Sequence, residues 1–416
     1  MIKMVKNLSI IILFAASIIY PQNSSTYTRN GIGDLNYTYS ARSLGFAQTG
    51  TAIFNSDFVE VLNPASWAAL RFTKIEFSLA LNGVKLSDSN TSGFYTDAEF
   101  KGFTFAFPIS EKNNIAFASG IVPYSRISYQ VNEFTEATDS INSSYTTTYE
   151  GSGGLSKLFL GATYKIPLGI TLGFSGEYYF GKQTYSSLVE FNNSSFVPAE
   201  YELQYRSTGF GATIGIITDN FSSLLNSETI SNLSFGVSVN IISELNTDTS
   251  LTINPTRVAD TVKFGKTTTD IPIRVAAGIS LALSNKYNFN IDYIYQPWSQ
   301  YKLGGQTSKN LEDVHRIAIG FEYAAVYEPG ITTWEQIKWR LGLSYEHTQY
   351  MIYGHDITQF GTNAGLSFPL GVGNSFDVDL EYSIRGTTDY NLVQENFFRI
   401  NVGISFGELW FQRVEK

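Results

Sequence analysis

The sequence predicts an all-β fold, a transmembrane antiparallel β-barrel, and three observations carry that prediction. A short apolar run with a basic start stands at the N-terminus. After it come a dozen or more segments in which apolar and polar residues alternate. The charged fraction is low and the aromatic fraction high for a chain of 416 residues.

The N-terminal run comes first. Lys3 and Lys6 precede Leu8-Ser9-Ile10-Ile11-Ile12-Leu13-Phe14-Ala15-Ala16-Ser17-Ile18-Ile19-Tyr20. That charge layout and length fit a secretory signal peptide over residues 1–22 better than a spanning helix. Ala15-Ala16-Ser17 and Pro21-Gln22 both offer places for cleavage. No later stretch approaches the ~18 uninterrupted apolar residues of a membrane helix.

The alternating segments follow. From Ser375 the pattern is clearest: Phe376, Val378, Leu380, Tyr382 and Ile384 share one face, and Asp377, Asp379, Glu381, Ser383 and Arg385 the other. A period of two is a β-strand, and the charges mean that the polar face meets water. Nothing in the sequence supplies a second layer for the aromatic-rich face, so a bilayer is the layer that fits. Ile75, Phe77, Leu79 and Leu81 mark the first strand, and Phe103, Phe105 and Phe107 the next. Ile115 and Phe117 open a third, which Ser119-Gly120 interrupts. Further strands are expected near 126–134, 155–166, 170–184, 201–217, 231–244, 270–283, 286–296, 313–325, 338–347, 358–369, 375–386 and 397–411. The total is about 14 strands, each about long enough to cross a bilayer at a tilt. The links at 110–114 and 284–286 read as periplasmic turns, and the polar stretches 135–154, 220–232 and 246–270 as outer loops.

Composition supports the barrel and excludes other classes. Aromatics make up 15% of the chain and charged residues only 16%, against about 25% charged in soluble domains. Loss of Lys3 and Lys6 takes the net charge from −9 to −11, and an acidic chain without a basic stripe argues against nucleic acid as a partner. The absence of Cys removes disulfides, thiol nucleophiles and Cys-ligated metals. His315 shares a face with Ile317, Ile319, Phe321 and Tyr323, as in an interfacial girdle. His347 and His355 flank an expected loop around Tyr350-Met351 without the His-x-x-x-His spacing of a metal helix. No Ser, His and orienting polar group share one wall. Gly151-Ser152-Gly153-Gly154 lies between strands rather than before a helix. These points read as a non-enzyme, with no catalytic residue, cofactor or metal site.

Residues 27 to 70 stand apart, rich in Gly, Ala, Ser and Asn and without sustained alternation. Tyr27-Thr28-Arg29-Asn30-Gly31-Ile32-Gly33-Asp34 leads into Ala41-Arg42-Ser43-Leu44-Gly45-Phe46-Ala47-Gln48-Thr49-Gly50, and Asn63-Pro64-Ala65-Ser66-Trp67 precedes the first strand. This segment resembles the N-terminal hatch of the FadL-like long-chain fatty-acid and hydrophobic-compound outer-membrane transporter family, in its divergent Bacteroidetes-type branch. The resemblance implies a fourteen-stranded barrel whose lumen is plugged by the N-terminal segment: signal peptide 1–22, plug or hatch 23–70, barrel 71–416. It implies hydrophobic ligands bound inside and released sideways into the membrane, and the family's wall opens at a kink in the third strand, where Ser119-Gly120 falls. One departure is that Leu409-Trp410-Phe411 is followed by Gln412-Arg413-Val414-Glu415-Lys416, where barrels of this kind end on an aromatic.

Within the hatch, Gly45 and Gly50 fit tight backbone turns, and Asn63-Pro64-Ala65 marks a turn. A buried Arg42 needs a carboxylate or several carbonyls, and Glu76, Glu177, Asp292, Glu322 and Asp379 are the lumenal candidates. Its role, gating or plug structure, stays open. Arg206, Arg274, Arg316, Arg340 and Arg385 fall on polar faces, where they either pair across a filled lumen or bind a carboxylate head group. Inward Leu158, Leu160 and Tyr164, opposite Phe159, and a two-sided strand at 272–283 suggest an apolar lumenal pocket or packing against the plug. The expected function is passive uptake of fatty-acid-like molecules across the outer membrane of a Gram-negative-type bacterium, by lumenal binding and plug-gated release. The expected partners are the bilayer and a hydrophobic small molecule. The alternative is a non-transporting scaffold, similar to the barrel components of a type IX-like secretion system, with a protein partner.

Overall fold

The computed structural model describes residues 25–110, 113–137, 143–222, 229–254, 260–324 and 332–409. The expected signal peptide and the residues after Leu409 lie outside them. Fourteen antiparallel strands close into a barrel. They are β1 (Thr73–Ser87), β2 (Ser92–Ser110), β3 (Ile115–Pro123 and Ser125–Thr135), β4 (Tyr145–Ile166), β5 (Ile170–Phe191) and β6 (Ala199–Thr218). After these come β7 (Ile230–Ile242 and Leu245–Asn254), β8 (Asp260–Asp270 and Arg274–Leu283), β9 (Tyr287–Gln296) and β10 (Val314–Tyr323). The last four are β11 (Lys338–Ile352), β12 (His355–Gly371), β13 (Asn374–Arg385) and β14 (Gln394–Glu408). Each strand pairs with the next, and β14 returns to β1 with Thr73 opposite Glu408.

The period-two pattern sorts side chains inside out relative to a soluble protein. Leu341, Leu343 and Tyr345 on β11 are 58%, 50% and 53% exposed on the outer wall, while Arg340 is buried. Leu380 and Ile400 face outward, whereas Asp379 and Asn401 are buried. An apolar outer band around a polar interior is the barrel solution for a bilayer. The same parity corrects one expectation. Leu158, Leu160 and Tyr164 point outward, and Lys157, Phe159 and Thr163 point in. The strand reads as apolar on both faces only because Phe159 stacks on Trp67 at 5.8 Å inside the barrel.

Ser284 and Asn285 carry φ of 50° and 54°, and Tyr353 and Gly354 carry 53° and 77°. Left-handed pairs of this kind match the twist of tight hairpins. Counting strands places the 219–229 and 284–286 connections at one rim, and the 297–313 excursion and the 353–354 turn at the other. The 220–232 stretch therefore shares a rim with the Ser284 turn and is not an outer loop, because strand parity, not polarity, sets the side. Much of 135–154 and 246–270 is strand as well. There the ladder runs beyond the apolar band, and polar composition no longer distinguishes strand from loop.

The segment before β1 threads the interior, and most of residues 37–53 are buried. Among its described residues the one α-helix, α1 (Ala41–Gly45), is capped by Ser40, whose Oγ accepts the Ser43 N–H at 3.1 Å. A 3-10 turn, Pro64–Ala69, starts at Asn63, whose Oδ1 accepts the Ala65 N–H at 3.0 Å. The wall is shaped to receive these pieces. A Cβ on Gly215 would lie 1.9 Å from Asn63 Oδ1, and one on Gly236 would lie 2.0 Å from the Thr51 carbonyl oxygen. Only glycine allows that approach.

Candidate functional site

The barrel wall parts beside β3. The lower piece of β3 pairs with β2 from Ile115 to Ile121. The strand then breaks at Tyr124, and its upper piece pairs with β4 on one side only. Its other edge meets the inner segment instead: Arg126 and Ser125 pair with Asp34 and Leu35. The Ser25 and Asn36 N–H groups donate to Ser128 O and Tyr124 O, each at 2.9 Å. Residues 92–102 of β2 are thus left with β1 as their sole ladder partner.

The break expected at Ser119-Gly120 therefore lies farther along. Ser119 and Gly120 sit in continuous ladder opposite Phe105 and Thr104. Pro123 ends the paired stretch, having no N–H to offer, and Tyr124 turns fully inward. There it meets Tyr179 edge-on at 5.2 Å and its hydroxyl accepts from Gln296 Nε2 at 3.2 Å. The local sequence signal was the proline, not the Ser-Gly pair.

Side chains close what the backbone leaves open. Arg126 on β3 is ion-paired to Asp97 and, at 3.3 Å, to Glu99 on β2. Asn82 Nδ2 donates to Asp97 at 2.7 Å, and Lys101 bonds Glu99 at 3.2 Å and Asn36 Oδ1 at 2.7 Å. Outside these pairs the wall carries a notch of about 620 Å³, bordered by Phe100, Pro123, Ser156, Phe180 and Thr208. Inside them lies a polar cavity of about 80 Å³ bordered by Tyr37, Glu346 and Arg385. Glu99 and Arg126 line both spaces. The ion pairs are the partition between lumen and wall.

The five strand arginines do not form one site. Arg340 joins Arg42: Arg340 Nε and Arg42 Nη2 lie 2.8 and 3.0 Å from the same Glu322 oxygen. Arg42 Nη1 also reaches Asp57 at 3.2 Å, and its guanidinium lies 4.5 Å from the Phe58 ring. Of the five carboxylates suggested for Arg42, Glu322 is the one it meets. Arg274 and Arg316 come together over Tyr37, at 5.7 and 5.1 Å from its ring. Arg316 donates to the Ala47 carbonyl at 2.6 Å and pairs with Glu346 at 3.3 Å. Each of these two keeps one buried Nη1 without a hydrogen-bond partner. Arg385 stands apart, bound to Glu395 and Asp34, both at 2.7 Å. Arg206 is exposed on the outer wall, at the edge of the notch beside Lys182. It is not lumenal, because in the upper part of β6 the apolar Leu203 and Tyr205 mark the inner face.

Gly45 and Gly50 are not turn glycines in the expected sense, since left-handed φ falls on Ala47 and Gln48, at 53° and 60°. They serve close approach: a Cβ on Gly45 would lie 3.2 Å from Gly365 Cα, and one on Gly50 would lie 2.5 Å from the Glu60 carboxylate. The Gly50 and Thr51 N–H groups donate to Asp292 at 2.7 and 2.8 Å. Asn63 Nδ2 donates to Thr51 O at 2.6 Å and Ile216 O at 3.2 Å, so Asn63-Pro64-Ala65 joins the inner segment to itself and to β6. Glu60 accepts from Ser43 Oγ and from the N–H groups of Val61 and Leu62. Burial pushes its carboxyl up to about 7, more than those bonds offset. Burial also pushes Asp57 up, but Arg42 and Lys338 outweigh it and hold that carboxyl well below the ordinary range.

The sequence profile of the BamG family matches residues 1–415. No curated protein matches the sequence. Among solved structures, the Ralstonia pickettii toluene transporter TbuX is similar at 13% identity, over 90% of this chain and 99% of that one, with a TM-score of 0.57. The Pseudomonas putida toluene transporter TodX is similar at 12% identity, over 91% and 100%, with a TM-score of 0.59. A Pseudomonas aeruginosa FadL homologue is similar at 11% identity, over 90% and 99%, with a TM-score of 0.59. At such identities the likeness is one of fold: the barrel is FadL-like.

Proposed function

The chain belongs to the BamG family, and from that premise and its FadL-like barrel we propose that it is an outer-membrane channel for passive uptake of hydrophobic small molecules. The bilayer is that of a Gram-negative-type bacterium, reached by way of a cleaved signal peptide at 1–22. Residues 23–70 act as the plug. The observation that carries this reading is the parted wall between β2 and the upper piece of β3, where only side-chain ion pairs separate a lumenal cavity from a notch on the outer wall. A solute entering from the 297–313 rim meets the plug, binds beside it, and leaves sideways when Arg126 releases Asp97 and Glu99. Arg274 and Arg316, each with a free buried Nη1 over Tyr37, are placed to hold the carboxylate of a fatty-acid-like ligand. The reading assigns no catalytic residue and no cofactor. Its test is titration of the purified barrel with a fluorescent long-chain fatty acid, competed by unlabelled ligand. Saturable binding that weakens several-fold in Arg274→Ala or Arg316→Ala is expected, and its absence from a folded barrel contradicts the reading.

One observation favours a scaffold that transports nothing. The inner segment is fastened to many strands, through Asp292, Glu322, Arg316 and Glu395 among others, and the enclosed cavity beside it is small and polar. A scaffold would co-purify with a protein partner in fixed ratio and leave the fatty acid unbound.

A further inference from the structure

We propose that Glu312, His347 and Asp356 form a binding site for a divalent transition-metal ion of the Zn²⁺ class, on the outer wall at the rim that carries the 353–354 turn. The three residues come from separate segments: the 297–313 excursion, β11 and β12. One ligand atom of each lies within 4.8 Å of the others, close enough to share one ion. His347 Nε2 is 3.2 Å from Asp356 Oδ2.

The other ring nitrogen, Nδ1, lies 3.3 Å from the Asp313 carbonyl oxygen. That contact favours the proton on Nδ1 and leaves the Nε2 lone pair facing the carboxylates. An imidazole oriented by a backbone carbonyl behind it is the usual outer-shell arrangement of a metal-binding histidine. Among the described residues the Glu312 carboxylate has no partner, although its backbone N–H is anchored to Gln349 O at 3.0 Å. His315 faces His347 across the ladder, ring centroids 6.4 Å apart. Two of the chain's three histidines therefore stand on this patch.

The backbone explains how the triad assembles. Thr348, Gln349 and Tyr350 bulge from β11 between the His347–Thr358 and Met351–Asp356 pairs. The bulge turns inward, where Gln349 Nε2 donates to Gly33 O at 2.9 Å and Tyr350 to Asp34 at 2.8 Å. Tyr350 also bridges Leu311, which draws Glu312 beside His347. One imidazole nitrogen with two carboxylate oxygens suits Zn²⁺ or Mn²⁺, whereas Ca²⁺ takes about six to eight oxygens. An ion held here ties the 297–313 excursion to the β11–β12 hairpin.

The test is isothermal titration of the full-length, tag-free barrel in detergent with Zn²⁺ alone, and separately with Ca²⁺. His347→Ala and Glu312→Gln are compared with His355→Ala, whose ring stacks on Tyr390 at 4.0 Å. Heat-modifiable migration confirms that each variant is a folded barrel. The expected result is one Zn²⁺ per chain, bound at least about 10-fold more weakly in His347→Ala and Glu312→Gln and unchanged in His355→Ala, with no Ca²⁺ binding. No stoichiometric Zn²⁺ binding, or binding that His347→Ala leaves intact, overturns the proposal.

Discussion

Two of the arginine–carboxylate clusters inside this barrel differ in what stands behind them. Arg42 and Arg340 converge on Glu322 with all three side chains at most 5% exposed. Behind them the wall is complete: Glu322 is opposite Arg340 and Arg340 opposite Gly365 in unbroken ladders. Arg126 meets Asp97 and Glu99 where β2 and the upper piece of β3 share no ladder, and its side chain is 25% exposed. The same chemistry therefore does two jobs. In the laddered region it neutralises buried charge and holds the inner segment in place. At the parted wall it replaces backbone hydrogen bonds, and contact with water makes it easier to release.

That contrast is broken most severely at Glu322. Glu322→Ala strands two buried guanidiniums, a loss of about 3–5 kcal/mol, expected as a lower urea midpoint of unfolding in detergent. Next is a pH effect on the inner segment. Glu60 has a native value of about 7 against an ordinary 4.5, so its contribution to stability is complete below about pH 4.5 and is lost as pH rises through about 7. The loss is on the order of 3 kcal/mol. Hydrogen-exchange protection across residues 40–66, corrected for the intrinsic rate at each pH, should be lower at about pH 8 than at about pH 5, and Glu60→Gln should flatten that difference. Asp57 runs the other way, losing its contribution only in strong acid.

Gly215→Ala comes third. Its Cβ would press on Asn63 Oδ1, and overpacking of this kind costs about 1–3 kcal/mol, readable as increased proteolysis of the inner segment while the barrel still migrates as folded. Arg126→Ala is smallest in stability, because Asn82 and Lys101 stay beside Asp97 and Glu99. It should nevertheless speed release of a bound fluorescent fatty acid several-fold, which stopped-flow fluorescence would show.

The sequence made the wall legible where one face meets apolar surroundings and the other does not. Residues 376–385 show this directly: Leu380 and Tyr382 face out, and Asp379 and Glu381 are buried or nearly so. It also gave a short list that contained Glu322 as the partner of Arg42. Legibility ended where the strands outrun the apolar band. Arg206 was placed on the wrong side because Leu203 and Tyr205 there are inner residues. The wall break was misplaced because a Ser-Gly pair is as compatible with close packing as with a bend, and Gly120 is used for packing. The seating glycines, Gly215 and Gly236, give no signal until the segment they receive is known. The Glu312, His347 and Asp356 cluster was hidden because a two-dimensional ladder and a bulge, not spacing along the chain, bring its members together.

The central claim is that the Arg126 partition is the exit. The most direct measurement uses the absence of native cysteine. Asp97→Cys and Arg126→Cys are combined, cross-linked by a reducible bifunctional reagent, and uptake of a fluorescent fatty acid into cells is followed before and after reduction. The account predicts that uptake stops on cross-linking and returns on reduction, while binding to the purified barrel persists throughout. Uptake that continues at full rate through a cross-linked wall would contradict it.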